Sequence, residues 1–175
     1  MADTGDTNQG AQPQAGQGPG QGQNPDLPPL SVNVQYVKDL SFENPHAPQA
    51  FGELNPPPEI AVDINVEVHG LQPRVVEVVL NIRVRAQREE QVFFMVELSY
   101  AGICVIGNVP EQHVQPLVTI EGPRLLFPFA RQIIADAVRN GGFPPLLINP
   151  IDFGRLYQQN MMAQQQAEQP SQPVN

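Results

Sequence analysis

A single cysteine, Cys104, stands in a chain of 175 residues. One thiol excludes an intramolecular disulfide and leaves a thiolate metal site without its other ligands, which fits a reducing compartment. Positive charge is also scarce, with nine Lys and Arg against 18 Asp and Glu and a formal net charge of −9. An acidic surface repels phosphate backbones and anionic membranes, so nucleic acid is disfavoured as a partner and basic partners are favoured. No apolar run approaches the roughly 18 residues needed to span a bilayer. The first residues carry neither a basic n-region nor an apolar h-region. The chain is therefore expected to be cytoplasmic and not to insert into a membrane.

Chemical motifs are missing too. There is no phosphate-binding Gly-rich loop with its lysine, no H-E-x-x-H and no Cys pair. The three histidines, His46, His69 and His113, share no spacing that would suit a metal or acid–base work. Asp63 and Glu67 share one face of a strand, as carboxylates on a solvated sheet do. The nearest enzyme alternative is an acyl-thioester hydrolase or dehydratase of hot-dog type. Its long helix comes before most strands, whereas here the strand patterns precede the helix, and no acid–base pair supports it. No catalytic residue, metal site or cofactor is expected, and the chain is not expected to be an enzyme.

Proline and glycine are plentiful, at 20 and 14 residues, and much of that excess lies near the start. Residues 1–29 are expected to be a disordered Gly/Gln/Pro-rich tail, because so few apolar side chains cannot offset the entropy of ordering. Residues 30–162 read as one domain, and 163–175 as a second tail. Leu30, Val32, Val34 and Tyr36 alternate with polar residues, which predicts a first strand. The Pro-rich stretch 38–58 reads as a long loop that packs through Leu40, Phe42, Phe51 and Leu54. Clean alternation predicts strands over Glu59–His69, Val75–Gln87 and Gln91–Tyr100, joined by short turns into an antiparallel meander. On the last of these, Phe93 and Met95 interrupt the polar face, which suggests a surface patch.

Residues 101–122 read as strand end and connector. After them Leu126, Phe129, Ala130, Ile133, Ile134, Ala137 and Val138 form one helical stripe. Pro128 is tolerated in a first turn, so the helix is expected to start near Phe127 and to end at Gly141 or Gly142. Asp152 is placed to cap a short second helix bearing Phe153, Leu156, Tyr157 and Met161. The fold class is α+β: a four-stranded antiparallel sheet with a long helix and a short C-terminal helix on its apolar face.

The strings KDLSFENPHAPQAF (38–51), EVVL (77–80), LLFPFAR (125–131) and GGFPPLLINPIDFGRLY (141–157) resemble the SecB family of protein-export chaperones. The resemblance implies an ATP-independent holdase that binds unfolded preproteins and hands them to the SecA translocation ATPase. It also implies a homotetramer, a dimer of dimers in which eight-stranded sheets sandwich the long helices. Carried over by motif, the client-binding groove would involve Phe42, Phe51, Phe153 and Tyr157. The SecA-binding surface would involve Asp39, Glu43, Met95 and Glu97. The oligomer interface would involve Leu98, Tyr100, Phe129, Ile133 and Ala137. Many members carry a Trp shortly after the Phe51 position, where this chain has Leu54-Asn55-Pro56. The alternative is a solitary chaperone of the same fold, serving a toxin–antitoxin pair or general holding without export.

Overall fold

A computed structural model describes residues 28–167, so most of each expected tail lies outside the described residues. Four strands, β1 (Leu30–Glu43), β2 (Glu59–Gln72), β3 (Val75–Arg88) and β4 (Gln91–Ile106), form one antiparallel sheet in the order β1-β4-β3-β2. The meander of β2, β3 and β4 is as expected, and β1 adds to its far edge beside β4. Two helices follow, α1 (Glu111–Asn140) and α2 (Phe153–Ala167). A short 3-10 turn, Gln49–Gly52, interrupts the connection between β1 and β2.

The strands run further than the alternation suggested. β1 continues through Lys38–Glu43, which had read as loop, because two irregularities in its pairing break the period. The first falls between Val32 and Val34, the second between Val37 and Asp39. Each extra residue moves the following side chains to the opposite face. Val34 and Tyr36 therefore leave the helix-covered side, where simple alternation had put them, while Leu40 and Phe42 return to it. β4 likewise extends to Ile106, pairing with both neighbours.

The largest departure is α1, which begins at Glu111 and runs through Pro116, Pro123 and Pro128. Local preference is against this, since a proline inside a helix forfeits a hydrogen bond and costs about 3 kcal/mol. Tertiary burial decides otherwise. Val118, Gly122, Leu126, Ala130, Ile134 and Val138, each four residues apart, are all buried, so the apolar row continues two turns upstream of the expected start. Gly122 lets the helix lie directly on β3, where a Cβ would come 2.9 Å from Val78 Cγ2. Facing this row, Val78, Leu80, Ile82 and Val84 of β3 and Val96 and Leu98 of β4 complete the core.

At its C-terminus α1 closes with Gly142 at φ 89°. Gly142 N donates to Arg139 O and Phe143 N to Val138 O, a Schellman arrangement in which glycine takes the left-handed position. α2 starts as expected, with Arg155 N donating to Asp152 Oδ1 at 3.0 Å. It continues past Met162 to Ala167.

One helix is too narrow for this sheet. An α-helix is about 10 Å across and strands are spaced about 4.8 Å apart, so α1 covers roughly two of four strands. α1 packs mainly on β4 and its neighbours β1 and β3, and least on β2. On the same face of β2, Ile60 and Val62 stay exposed, and so does Leu40 of β1. On the far side of α1, Leu125 and Phe129 are also exposed, Phe129 at 52%.

Candidate functional site

Four phenylalanines converge where β1 ends, β4 begins and α1 stops. Phe143 sits between Phe94 (ring centroids 4.9 Å), Phe51 (5.2 Å) and Phe42 (6.5 Å), and Phe42 stacks on Phe94 at 6.0 Å. The Gly141-Gly142 pair makes room for it. A Cβ on Gly141 would clash with the Phe42 ring, and one on Gly142 would come 2.8 Å from Phe51 Cε1. Phe51 remains 42% exposed, so the cluster has an open side. Phe42 and Phe51 were named from sequence, and Phe143 joins them. Phe143 follows the helix cap directly, a position where a hydrophobic contact is usual, and that was the signal available for it. Phe94 had been assigned to the apolar face of its strand, which it occupies.

Phe153 and Tyr157 lie elsewhere. Phe153 is buried and packs edge-on against Phe127 of α1 at 5.8 Å, and Tyr157 is half-buried. Beside Phe153, a depression of about 380 Å³ is lined by Phe127, Pro128, Arg131, Pro150 and Ile151. Ile151 also borders a second, more apolar groove of about 350 Å³. That groove runs between Ile60, Val62 and Ile64 of β2 and the segment Leu146, Leu147 and Ile148 that leads from α1 to α2. Leu147 is 69% exposed. Sequence reasoning placed the β2 residues under the helix and missed this groove. The comparison of one helix width with four strand widths was the signal that could have found it.

The opposite face of the sheet is acidic. Pairing sets Glu43 opposite Met95, Ser41 opposite Glu97 and Asp39 opposite Ser99, so Asp39, Glu43, Met95 and Glu97 share one face of β1 and β4. A shallow concavity of about 420 Å³ is lined by Asp39, Asp63, Glu67, Glu97, Asn81 and Ser99, among others. Arg83 Nε bonds Glu97 Oε1 at 2.5 Å and Asn81 Nδ2 donates to Glu67 Oε1 at 2.8 Å. Asp39, Glu43 and Asp63 have no cationic partner among the described residues. Phe93 does not belong to a surface patch on this face: it is fully buried, with the Arg88 guanidinium 5.0 Å above its ring. Met95 stays half-buried.

Further along this face Glu77 is the only buried charged residue among those described. Tyr36 donates its hydroxyl to Glu77 Oε1, and Lys38 Nζ donates to Oε2 at 3.0 Å. The Tyr36 hydrogen bond, aided by Lys38, holds the Glu77 carboxyl below the usual carboxylate range against the opposing effect of burial. The same bond raises the Tyr36 hydroxyl. Of the expected interface residues, Leu98 and Tyr100 are buried within their own chain, Ile133 and Ala137 are half-buried, and Phe129 is exposed.

Among the described residues no cluster of His, Cys, Asp and Glu is arranged for a metal ion, and no helix is long and apolar enough to cross a membrane. What the geometry offers is binding surface, apolar on one side and anionic on the other.

The sequence profile described as preprotein translocase subunit SecB matches residues 23–165. The chain belongs to the SecB family. Curated relatives described as protein-export protein SecB include one from Azorhizobium caulinodans, 55% identical over 139 residues and covering 79% of this chain and 87% of that protein. Another from Bradyrhizobium is 49% identical over 152 residues, with 85% and 94% covered. A third, from Afipia carboxidovorans, is 50% identical over 146 residues, with 83% and 91% covered. Among solved structures, a SecB-like chaperone of Mycobacterium tuberculosis in complex with an antitoxin peptide superposes with a TM-score of 0.56 at 12% identity, covering 70% of this chain and 87% of that one. At that identity the likeness is one of fold. The resemblance carried by the four strings is thus borne out, as is the α+β sheet-and-helix fold of SecB. SecB is a family of chaperones and not a class of enzymes.

Proposed function

We propose that this chain is an ATP-independent holdase that binds unfolded preproteins, keeps them competent for translocation and passes them to SecA. The carrying observation is apolar surface left open by design of the fold. The groove between β2 and the 146–151 segment, and the exposed side of the Phe42, Phe51, Phe94 and Phe143 cluster, are uncovered by α1. Apolar burial is nondirectional and tolerates any client sequence, at about 25 cal/mol per Å² removed from water. The free edge of β2 adds backbone donors and acceptors for an extended segment. Only chains that have not yet buried their apolar side chains fit such sites. Binding them lowers the free energy of the unfolded state, so slow folders are held by mass action.

The acidic face made by Asp39, Glu43, Met95 and Glu97 is the proposed SecA-docking surface, since anionic surface steers a basic partner. Client groove and docking face lie on opposite sides of one sheet, so both partners bind together. Phe129, Leu125, Ile133 and Ala137 on the outer side of α1 are the proposed contact between dimers, and a cytoplasmic homotetramer is the proposed assembly. Leu98 and Tyr100 act on that assembly through the packing beneath α1. A solitary holding role on a toxin–antitoxin pair is the other reading. Identity of 49–55% to export proteins, against 12% to the toxin-linked chaperone, favours export.

Calorimetric titration of two variants against both ligands tests the division. Phe51→Ala is expected to weaken an unfolded preprotein about tenfold, roughly 1.4 kcal/mol, and to leave SecA affinity unchanged. Glu97→Lys is expected to do the reverse. Equal losses for both ligands in both variants would contradict it.

A further inference from the structure

The connection between β1 and β2 spans residues 44–58, long for a compact domain, and has only one 3-10 turn of its own. It meets the aromatic cluster through Phe51, 5.2 Å from Phe143 and against Gly142, beside the buried Ala50 and the half-buried Leu54. Polar anchors on the β3–β4 hairpin end fix the segment on either side. At the near end, His46 Nδ1 lies 2.9 Å from Val92 O. At the far end, Arg88 Nη1 donates to two loop carbonyls, Glu53 O at 2.9 Å and Pro56 O at 2.7 Å. Gln91 Nε2 donates to Glu53 Oε2 at 2.8 Å, and Arg88 Nη2 reaches Gln91 Oε1 at 3.4 Å. Beneath, the guanidinium carbon sits 5.0 Å from the centre of the buried Phe93 ring.

We propose that Arg88 is a positioning residue for client binding: its guanidinium clamps the β1–β2 connection to the β3–β4 hairpin and so sets Phe51 against Phe143. This rests on reading the open aromatic cluster as client surface. Arg88 itself touches no client. It acts by removing the ordering cost that a loose loop would levy on every binding event. Lysine does not substitute, because a compact ammonium cannot stack on Phe93 while forking to two carbonyls.

The test uses the full chain and a permanently unfolded probe, reduced and carboxamidomethylated α-lactalbumin, with affinities from titration calorimetry. Arg88→Met and Arg88→Lys are each expected to weaken the probe about fivefold, in line with the loss of a pre-ordered loop. Hydrogen exchange at Phe51 and Glu53, whose amides bond Pro48 O and Ala50 O, is expected to quicken while exchange in β3 and β4 is unchanged. Arg88→Lys keeps the stem and the charge should Arg88→Met not fold. The Arg88→Lys/Phe51→Ala double variant is expected to bind no more weakly than Phe51→Ala alone, because both changes remove the same contact. Losses that multiply in the double variant, or wild-type affinity in Arg88→Lys, overturn the clamp. Wild-type affinity in Phe51→Ala overturns the groove reading and the clamp with it, so the two failures are told apart.

Discussion

Glu77 ties the edge strand β1 to β3 across β4. Tyr36 and Lys38 reach over the row in which Ala101 pairs with both Tyr36 and Val79, and Ala101 and Val79 are buried although they point away from α1. Because the Glu77 carboxyl titrates below its ordinary range when folded, its contribution to stability is present above that range and is lost as pH falls through the lowered value. Glu77→Gln is therefore expected to cost about 1.5–3 kcal/mol near pH 7. The gap in Tm between wild type and variant should shrink as pH drops from about 6 to about 3, and a constant gap in thermal melts would assign the effect to packing. Cys104 gives a second residue-scale expectation. It is fully buried, and burial pushes its thiol up to about 11, so a thiol reagent at neutral pH should label it only after unfolding. Residues of this kind were poorly legible in sequence. Alternation puts Phe93 on the polar face and gives Glu77 no sign of burial, because one-dimensional alternation assigns faces but does not say what a distant Tyr36 or Arg88 lays over them.

For the elements, legibility followed the strength of the local signal. β2 and β3 alternate cleanly over most of their length, with pairing shifts only near Gly70–Gln72 and Ala86–Gln87, and their ends lie within a few residues of the expected bounds. β1 defeated the same rule because two pairing irregularities switch its faces, and no residue type announces them. α1 is legible in its second half, where the apolar row is flanked by charged and polar residues, and not in its first, where Pro116 and Pro123 argue against helix. The row from Val118 to Val138 resolves the conflict through burial, which sequence shows only as spacing. The groove was hidden for a related reason: Ile60 and Val62 look like core until the width of α1 is set against the sheet. The outer side of α1 carries the expectation for this scale. Phe129→Asp puts a charge on a residue half exposed in one chain, and is expected to convert tetramers to dimers by light scattering while the circular dichroism of each chain is retained. An unchanged mass would move the contact between dimers away from α1.

At the scale of the molecule, the sheet separates two chemistries that would interfere if mixed. Apolar surface faces the α1 side, and carboxylates face the other, of which Asp39, Glu43 and Asp63 have no cationic partner among the described residues. SecA docking on the anionic face should weaken steeply between low and high salt, since exposed charges more than about 8 Å apart are screened at physiological ionic strength. Client binding, being apolar, should hardly change over the same range. The strings that carry the family resemblance made the family and the sheet-and-helix fold legible in the sequence. The open groove and the Arg88 anchor were not readable, because each depends on where segments far apart in sequence come to rest. The proposed function requires that open apolar surface capture chains before they fold. Refolding of a slow preprotein from denaturant, followed by intrinsic fluorescence at stoichiometric excess of the purified chain and without nucleotide, reads out that capture. The folding rate is expected to fall in proportion to the fraction bound, and Phe51→Ala should restore much of it. A refolding rate identical with and without the chain would contradict the account.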